Sequence, residues 1–373
     1  MSHVYGSFFE HIDSNYIPGG NNMVTERVFG KLPNGEEIKI FHLENKTGAY
    51  AEVLQYGAIL VKLCVPDRNG ELRDVVLGYD DLKSYEANGC FFGATIGRSG
   101  NRIANSRFIL DGKEVRLTPN EGPNNLHSGP DGFEKKVWNC EIISQEDSTV
   151  CFTRISPDGE NGYPGEFQIF VYYEFTDENE LRIVYRGACD QTTVANCTNH
   201  SYFNLNGEGS GTAMDQYLTI HAQQYTPVGE GSIPLGENVP VEGTPMDFRK
   251  PKKIGQDIEA DFRQLKLTAG YDHNYVTDDY HKGFRREVAH AWSEESGIDM
   301  KVFTDCPGVQ FYAANFVENE VGKNGHIYNR REAFCLETQT EPNAVNVEAF
   351  HSPILKAGER YYSETIYKFS IHQ

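Results

Sequence analysis

No stretch of the 373-residue chain approaches the run of about 18 apolar residues that crosses a bilayer as a helix. The opening residues, MSHVYGSFFEHIDSNYIPGGNN, lack the basic start and apolar stretch of a secretory signal, so the expectation is a cytoplasmic protein. Basic residues are also few: 34 Lys and Arg stand against 54 Asp and Glu, a formal net charge of −20. That balance disfavours nucleic acid or an anionic membrane as partner and suits a neutral small molecule. None of the eight cysteines forms a CxxC pair, and several sit in apolar runs such as FCLE. They read as small buried hydrophobes in a reducing compartment, not as metal ligands or disulfide partners. HExxH and GxSxG are absent, which removes the common zinc and serine-hydrolase signatures. Sequons at Asn45, Asn196 and Asn199 read as chance matches in a chain without a secretion signal. Helical periodicity is almost missing; only DDLKSYEANG suggests a short helix.

What is present is the material of sheets and turns: 36 Gly, 22 Phe and 21 Tyr. Strand-like runs such as YAEVLQYGAILVKLCV, FQIFVYYEFT, LRIVYRGAC and YYSETIYKFSI recur along the chain. Asn34-Gly35, Asn69-Gly70 and Asp111-Gly112 each lie between two such runs, the strongest short-range hairpin signal. Asp177-Glu178-Asn179-Glu180 does the same with a longer turn. Strands without intervening helices predict an all-β fold, one large antiparallel β-sandwich over residues 24–373, with a two-domain β protein as the alternative. Residues 1–23, ending in a Pro-Gly-Gly-Asn-Asn cluster, read as a flexible N-terminal extension.

Several strand-like segments carry polar groups among apolar ones. In TNHSYFNLNG, Ser201, Phe203 and Leu205 alternate with His200, Tyr202 and Asn204, so the second face meets either solvent or a site. In AFCLETQ, Phe334, Leu336 and Thr338 alternate with Cys335, Glu337 and Gln339, and in GVQFYAAN, Val309 and Phe311 alternate with Gln310 and Tyr312. A carboxylate such as Glu337 is costly to bury unless paired or hydrogen-bonded. The plain reading is an outer strand or a structural ion pair. GATIGRSGNRIANSRF carries Arg98 and Arg102 and is no phosphate loop; its plain reading is a strand corner with surface arginines. His127 sits in the polar loop PNEGPNNLHSGPDGF, and Asp247 stands beside Arg249 in GTPMDFR, where a local pair or turn cap is the default. His127, His200, Asp247 and Glu337 have no metal-ligand spacing. Together these residues suit acid/base chemistry on a polyhydroxylated neutral ligand.

From about residue 24 to the C-terminus, seven motifs in order resemble the aldose 1-epimerases, the galactose mutarotases. They are GATIGRSGNRIANSRFILDGKEVRL, NNLHSGPDGFEKKVW, TNHSYFNLNG, GTPMDFR, GYDHNYV, PGVQFYAANF and CLETQTEPNAVN. The resemblance implies the galactose mutarotase-like supersandwich and interconversion of the α and β anomers of free hexoses, galactose and glucose above all. It implies no metal and no organic cofactor. By the same resemblance Glu337 is the general base at the C1 hydroxyl and His200 the general acid at the ring oxygen. Arg102, His127 and Asp247 bind the sugar hydroxyls, with Asn101 and Gln310 as further contacts. The chemistry needs one basic and one acidic group on either side of C1–O5, each placed proton transfer being worth roughly 10²–10⁴-fold. A carboxylate with a reference pKa of about 4.3 starts ionised, an imidazole of about 6.5 is poised to donate, and Asp247 is expected to tune His200. Ser128, Met246 and Ser99-Gly100 depart from the family's usual pattern and bear on sugar preference.

Two rivals share the fold. A hexose 6-phosphate epimerase needs clustered Arg or Lys, and the candidates here are scattered. A non-catalytic sugar-binding module needs no acid and base together. A metallohydrolase ranks last. A monomer is the working expectation for the assembly.

Overall fold

The computed structural model describes residues 23–373. The extension expected over residues 1–23 therefore lies outside the described residues, except that Met23 opens the first strand. Antiparallel sheets dominate. A five-stranded meander runs from Met23–Lys31 to Leu72–Asp74. A nine-stranded sheet and a second five-stranded sheet follow, with short two-stranded ribbons between them. Asn34-Gly35, Asn69-Gly70 and Asp111-Gly112 each close a hairpin, as their turn chemistry predicts, and their glycines take φ of 88°, 82° and 77°. The expected helix is Leu82–Ala87, capped by Asp81, whose side chain accepts from the Ser84 N–H.

Period-two alternation builds the core. Along Phe167–Phe175 every second side chain is buried, and Val171, Tyr173 and Phe175 face Tyr185, Ile183 and Leu181 of the next strand. These residues join one large cluster with Phe41, Val53 and Leu60 of the first five-stranded sheet and Tyr275, Phe311 and Leu336 of the second. The nine-stranded sheet thus packs against both smaller sheets, the sandwich expected from the sequence. Each such side chain buried is worth about 1.5–3 kcal/mol.

One surface reading fails. Arg98 is fully buried, its guanidinium donating to the carbonyls of Ser156, Pro157, Pro164 and Gly165 and to the hydroxyls of Ser156 and Thr193. A charge taken out of water survives there because its donors find acceptors. Asn45, Asn196 and Asn199, the three sequon asparagines, are buried as well. All eight cysteines are free, six of them buried. No helix among the described residues is long and apolar enough to cross a membrane.

Candidate active site

The second five-stranded sheet supplies the floor of a cleft. Its strands Asp272–Val276, Gly308–Tyr312 and Cys335–Gln339 pair in that order, with Gln310 opposite both Asn274 and Glu337. Val309, Phe311 and Leu336 point into the core, so Glu337, Gln310 and Asp272 share the other face. The strand Thr198–His200 lies beside it, joined by an antiparallel bridge between Phe203 and Phe334. His200 is also opposite Ala94 of the strand Ala94–Ile96. The preceding glycine is obligatory: Gly93 has φ of 65°, and a Cβ there would lie 2.0 Å from the Leu60 carbonyl oxygen. The Gly93 N–H donates to the His200 carbonyl and the Asn199 amide donates back to the Gly93 carbonyl, which fixes the histidine's backbone.

The alternation read in TNHSYFNLNG holds, although the chain leaves strand geometry after His200. Phe203 and Leu205 enter the main core. Tyr202 enters a second cluster and stacks on the His200 ring at 5.1 Å. Asn204 faces neither solvent nor cleft; its amide donates to the carbonyls of Gly211 and Glu332.

A ribbon pairing Arg102–Ile103 with Asn125–Leu126 forms the cleft wall. Beyond it, the His127 N–H donates to the Asn101 carbonyl, and the Asn101 N–H donates to His127 Nδ1 at 3.1 Å. That bond leaves Nε2 of a neutral His127 as the protonated nitrogen. Asn101 and His127 hold φ of 60° and 55°, and strained backbone of this kind collects at functional sites. Arg102 is gripped in bidentate fashion by Glu121, both bonds 2.7 Å, and its Nη1 lies 3.9 Å from Asp272. Phe91 covers the imidazoles of His127 and His200 at 4.9 and 5.9 Å. The cleft holds about 570 Å³, within the range of small-molecule pockets.

At its base His200 Nε2 stands 3.7 Å from Glu337 Oε1, and Glu337 Oε2 is buried without a hydrogen-bond partner. Burial governs their charge. It lowers His200 to about 4 and raises Glu337 well above the carboxylate range, with Asp272 adding to the rise and Arg102 opposing it. Burial thus disfavours the charged form of both groups, and His200 is not the ready donor its reference pKa suggests. His127 is also pushed well down, first by burial and then by His200 and Arg102. Burial opposes the charge of Arg102, yet Asp272 and Glu121 outweigh it and the guanidinium stays ionised.

Five of the seven residues expected from the sequence line this cleft: Glu337, His200, Arg102, His127 and Asn101. Gln310 lies behind it, donating to Asp272 Oδ1 at 2.6 Å and accepting from Gln339. Asp247 is elsewhere. Its carboxylate accepts from the Arg249 N–H and guanidinium, which holds it below the usual aspartate range, and it lines a larger charged cleft with Lys250 and Lys252. That cleft, about 710 Å³, holds no buried unpartnered side-chain atom, so its size does not make it the site. Asp247 is thus the turn cap of the default reading and cannot tune His200. Asp272 lines the cleft instead. Its signal was available: in GYDHNYV, Tyr271, His273 and Tyr275 alternate with Asp272 and Asn274, and a carboxylate between buried tyrosines is one that must find partners. Glu121 had no such signal, since its role appears only through Arg102.

The family model for aldose 1-epimerase matches residues 39–368. The galactose mutarotase of Sus scrofa is 43% identical over 351 residues, 93% of this chain and 99% of the relative. The aldose 1-epimerase of Escherichia coli strain K12 is 38% identical over 339 residues, 90% of this chain and 96% of its own. A solved GalM/aldose epimerase homologue from C. elegans superposes with a TM-score of 0.81 at 33% identity, covering 89% of this chain and 98% of that one. The chain belongs to the aldose 1-epimerase family.

Within this epimerase the departures from the family pattern find places. Ser99 and Ser128 face each other: Ser128 Oγ accepts from the Ser99 N–H at 2.8 Å, donates to its carbonyl, and reaches the Tyr163 hydroxyl. They brace the wall of the cleft and do not line it. Met246 is buried in the main core. His127, His200 and Glu337 bring one ligand atom each within 4.8 Å of one another, a proximity that spacing in the sequence did not show.

Proposed function

We propose that the chain interconverts the α and β anomers of free aldohexoses by ring opening, rotation about C1–C2 and reclosure. The observation that carries this reading is the buried Glu337–His200 pair, 3.7 Å apart, with one carboxyl oxygen left without a partner. A sugar hydroxyl is the partner such an oxygen lacks. Arg102, His127, Asp272 and Asn101 hold the other hydroxyls, and Phe91 covers an apolar face of the ring. Gln310 acts through Asp272.

Between them the two groups share one proton. With it on His200, Glu337 takes the proton of the C1 hydroxyl while His200 protonates O5, and C1–O5 breaks. The aldehyde then lies beside a carboxylic acid and a neutral imidazole, the uncharged state that burial favours. After rotation the same groups run in reverse: His200 removes the proton from the C5 hydroxyl and Glu337 returns one to O1. Microscopic reversibility makes each residue acid in one half and base in the other. No redox or group-transfer step occurs.

Catalytic amounts of protein should speed the polarimetric relaxation of fresh α-galactose or α-glucose. Sugar binding by calorimetry without any rate effect would replace this reading with a binding module.

A further inference from the structure

A second group of ligating side chains lies outside the sugar cleft. His290 is on the strand Arg286–Trp292, Asp299 on Ile298–Thr304, and His372 follows Arg360–Ile371. These three strands are neighbours in the nine-stranded sheet. Ile298, Met300 and Val302 point into the core, so Asp299 takes the opposite face. There His290 Nε2 lies 2.6 Å from Asp299 Oδ2, and His372 Nδ1 lies 3.0 Å from the same oxygen. One ligand atom from each residue falls within 4.8 Å of the others. The remaining oxygen of Asp299 accepts from Ser370 at 3.4 Å, and the His372 N–H donates to the Gly297 carbonyl, so carboxylate and terminal ring are both oriented.

We propose that His290, Asp299 and His372 form a site for a divalent transition-metal ion of the Zn²⁺ or Ni²⁺ kind. Two imidazoles and one carboxylate are the donor set such borderline ions take, with water completing the shell. Bonds of about 2.0–2.1 Å in a tetrahedral site put ligand atoms about 3.3 Å apart, so the side chains need only small adjustments. The metal would replace the two protons that now join the imidazoles to Asp299. Lys301, opposite His290 in the register, is engaged with Glu287 at 3.3 Å. The ion would tie the end of the last strand to Ile298–Thr304 beside it and to Arg286–Trp292 one strand further on, and stabilise the fold by linkage. This proposal does not depend on the reaction, since none of the three residues lines the cleft.

Trp292 provides a local probe. Its ring stacks on His372 at 4.6 Å and on Tyr217 at 5.1 Å. The other tryptophan, Trp138, is in the core. Titrating the full chain with Ni²⁺ should quench tryptophan emission saturably at one equivalent, reversibly by EDTA. His290→Gln and His372→Gln should each weaken the response at least tenfold while keeping the native mutarotation rate, which also checks their folding. Should either fail to fold, Asp299→Asn serves in its place. Zn²⁺ should raise the unfolding midpoint of the native chain and not that of the variants. A simple hydrogen-bonded His–Asp–His cluster would give no saturable quench up to millimolar Ni²⁺, and the proposal would then be wrong. Undiminished quenching in the variants would overturn it equally, as would inhibition of mutarotation without any quench, which places the ion on His127, His200 and Glu337.

Discussion

If the two buried groups 3.7 Å apart share the catalytic proton, the reaction answers pH in a way an exposed pair would not. His200 accepts a second proton only near its lowered value of about 4, and Glu337 loses its proton only well above the usual carboxylate range. The pair therefore keeps a single proton across the neutral region, and kcat/KM should hold steady through pH 6.5, the ordinary histidine value, falling only towards about 4 and again in alkali. An acid limb centred near about 6.5 would show instead that His200 titrates as a solvated imidazole. Arg102 depends on Glu121 for its direction. Glu121→Gln removes a charge-assisted, bidentate contact worth about 1.5–3 kcal/mol and should raise KM about tenfold or more with a smaller change in kcat. An unchanged KM would mean that Arg102 is held by Asp272 alone. At this scale periodicity put His200 and Glu337 only on the polar faces of their strands, and it was the family resemblance that pointed to a shared site. The resemblance also pointed to Asp247, where an aspartate two residues before an arginine forms its own closed pair, and the sequence had nothing to say of Glu121, whose meaning depends on a contact 19 residues away.

At the scale of elements, the site is a meeting of three strands from one sheet with the strand Thr198–His200 and a two-stranded ribbon. The hairpin turns were legible because Asn-Gly and Asp-Gly act through their own backbone, a local cause. The pairing of Gly308–Tyr312 with both Asp272–Val276 and Cys335–Gln339 was not, because register between distant strands is set by packing. The ribbon is held by two residues in left-handed conformation that bond each other, Asn101 and His127. Asn tolerates that region, whereas a β-branched side chain does not. Asn101→Val should lower stability by about 1–3 kcal/mol in urea unfolding and impair sugar binding, while Asn101→Gly should keep most of the stability. Equal stability of the two variants would show that backbone strain is not what the asparagine relieves.

Across the whole molecule, the excess of acidic residues bears on choice of substrate. The net charge is −20, and the one arginine lining the cleft is already bound to Glu121 and faces Asp272. A hexose 6-phosphate would enter a negative site with no free cation among the described lining residues. Its kcat/KM should be at least about tenfold below that of the free hexose, with the gap narrowing as salt screens the field. Comparable rates for both sugars would favour the phosphate-sugar reading. The sandwich itself was legible from strand content, turn spacing and the lack of helices. Its sheet order was not: Glu180–Cys189 pairs with Arg360–Ile371 across most of the remaining chain, and no local signal announces such a partner.

The central claim is that the Glu337–His200 pair moves the protons, and Glu337→Gln tests it most directly. Burial holds Glu337 well above its unfolded value, so its contribution to stability is full below the unfolded carboxyl pKa and is lost as pH rises towards the folded one. The variant should therefore be as stable as the native chain or more so at neutral pH, by about 0.5–2 kcal/mol, with the gain shrinking in acid. In the polarimetric relaxation of α-galactose it should lose about 10²–10⁴-fold in rate while the native chain accelerates the relaxation. A folded Glu337→Gln variant that relaxes galactose at the native rate would contradict the account.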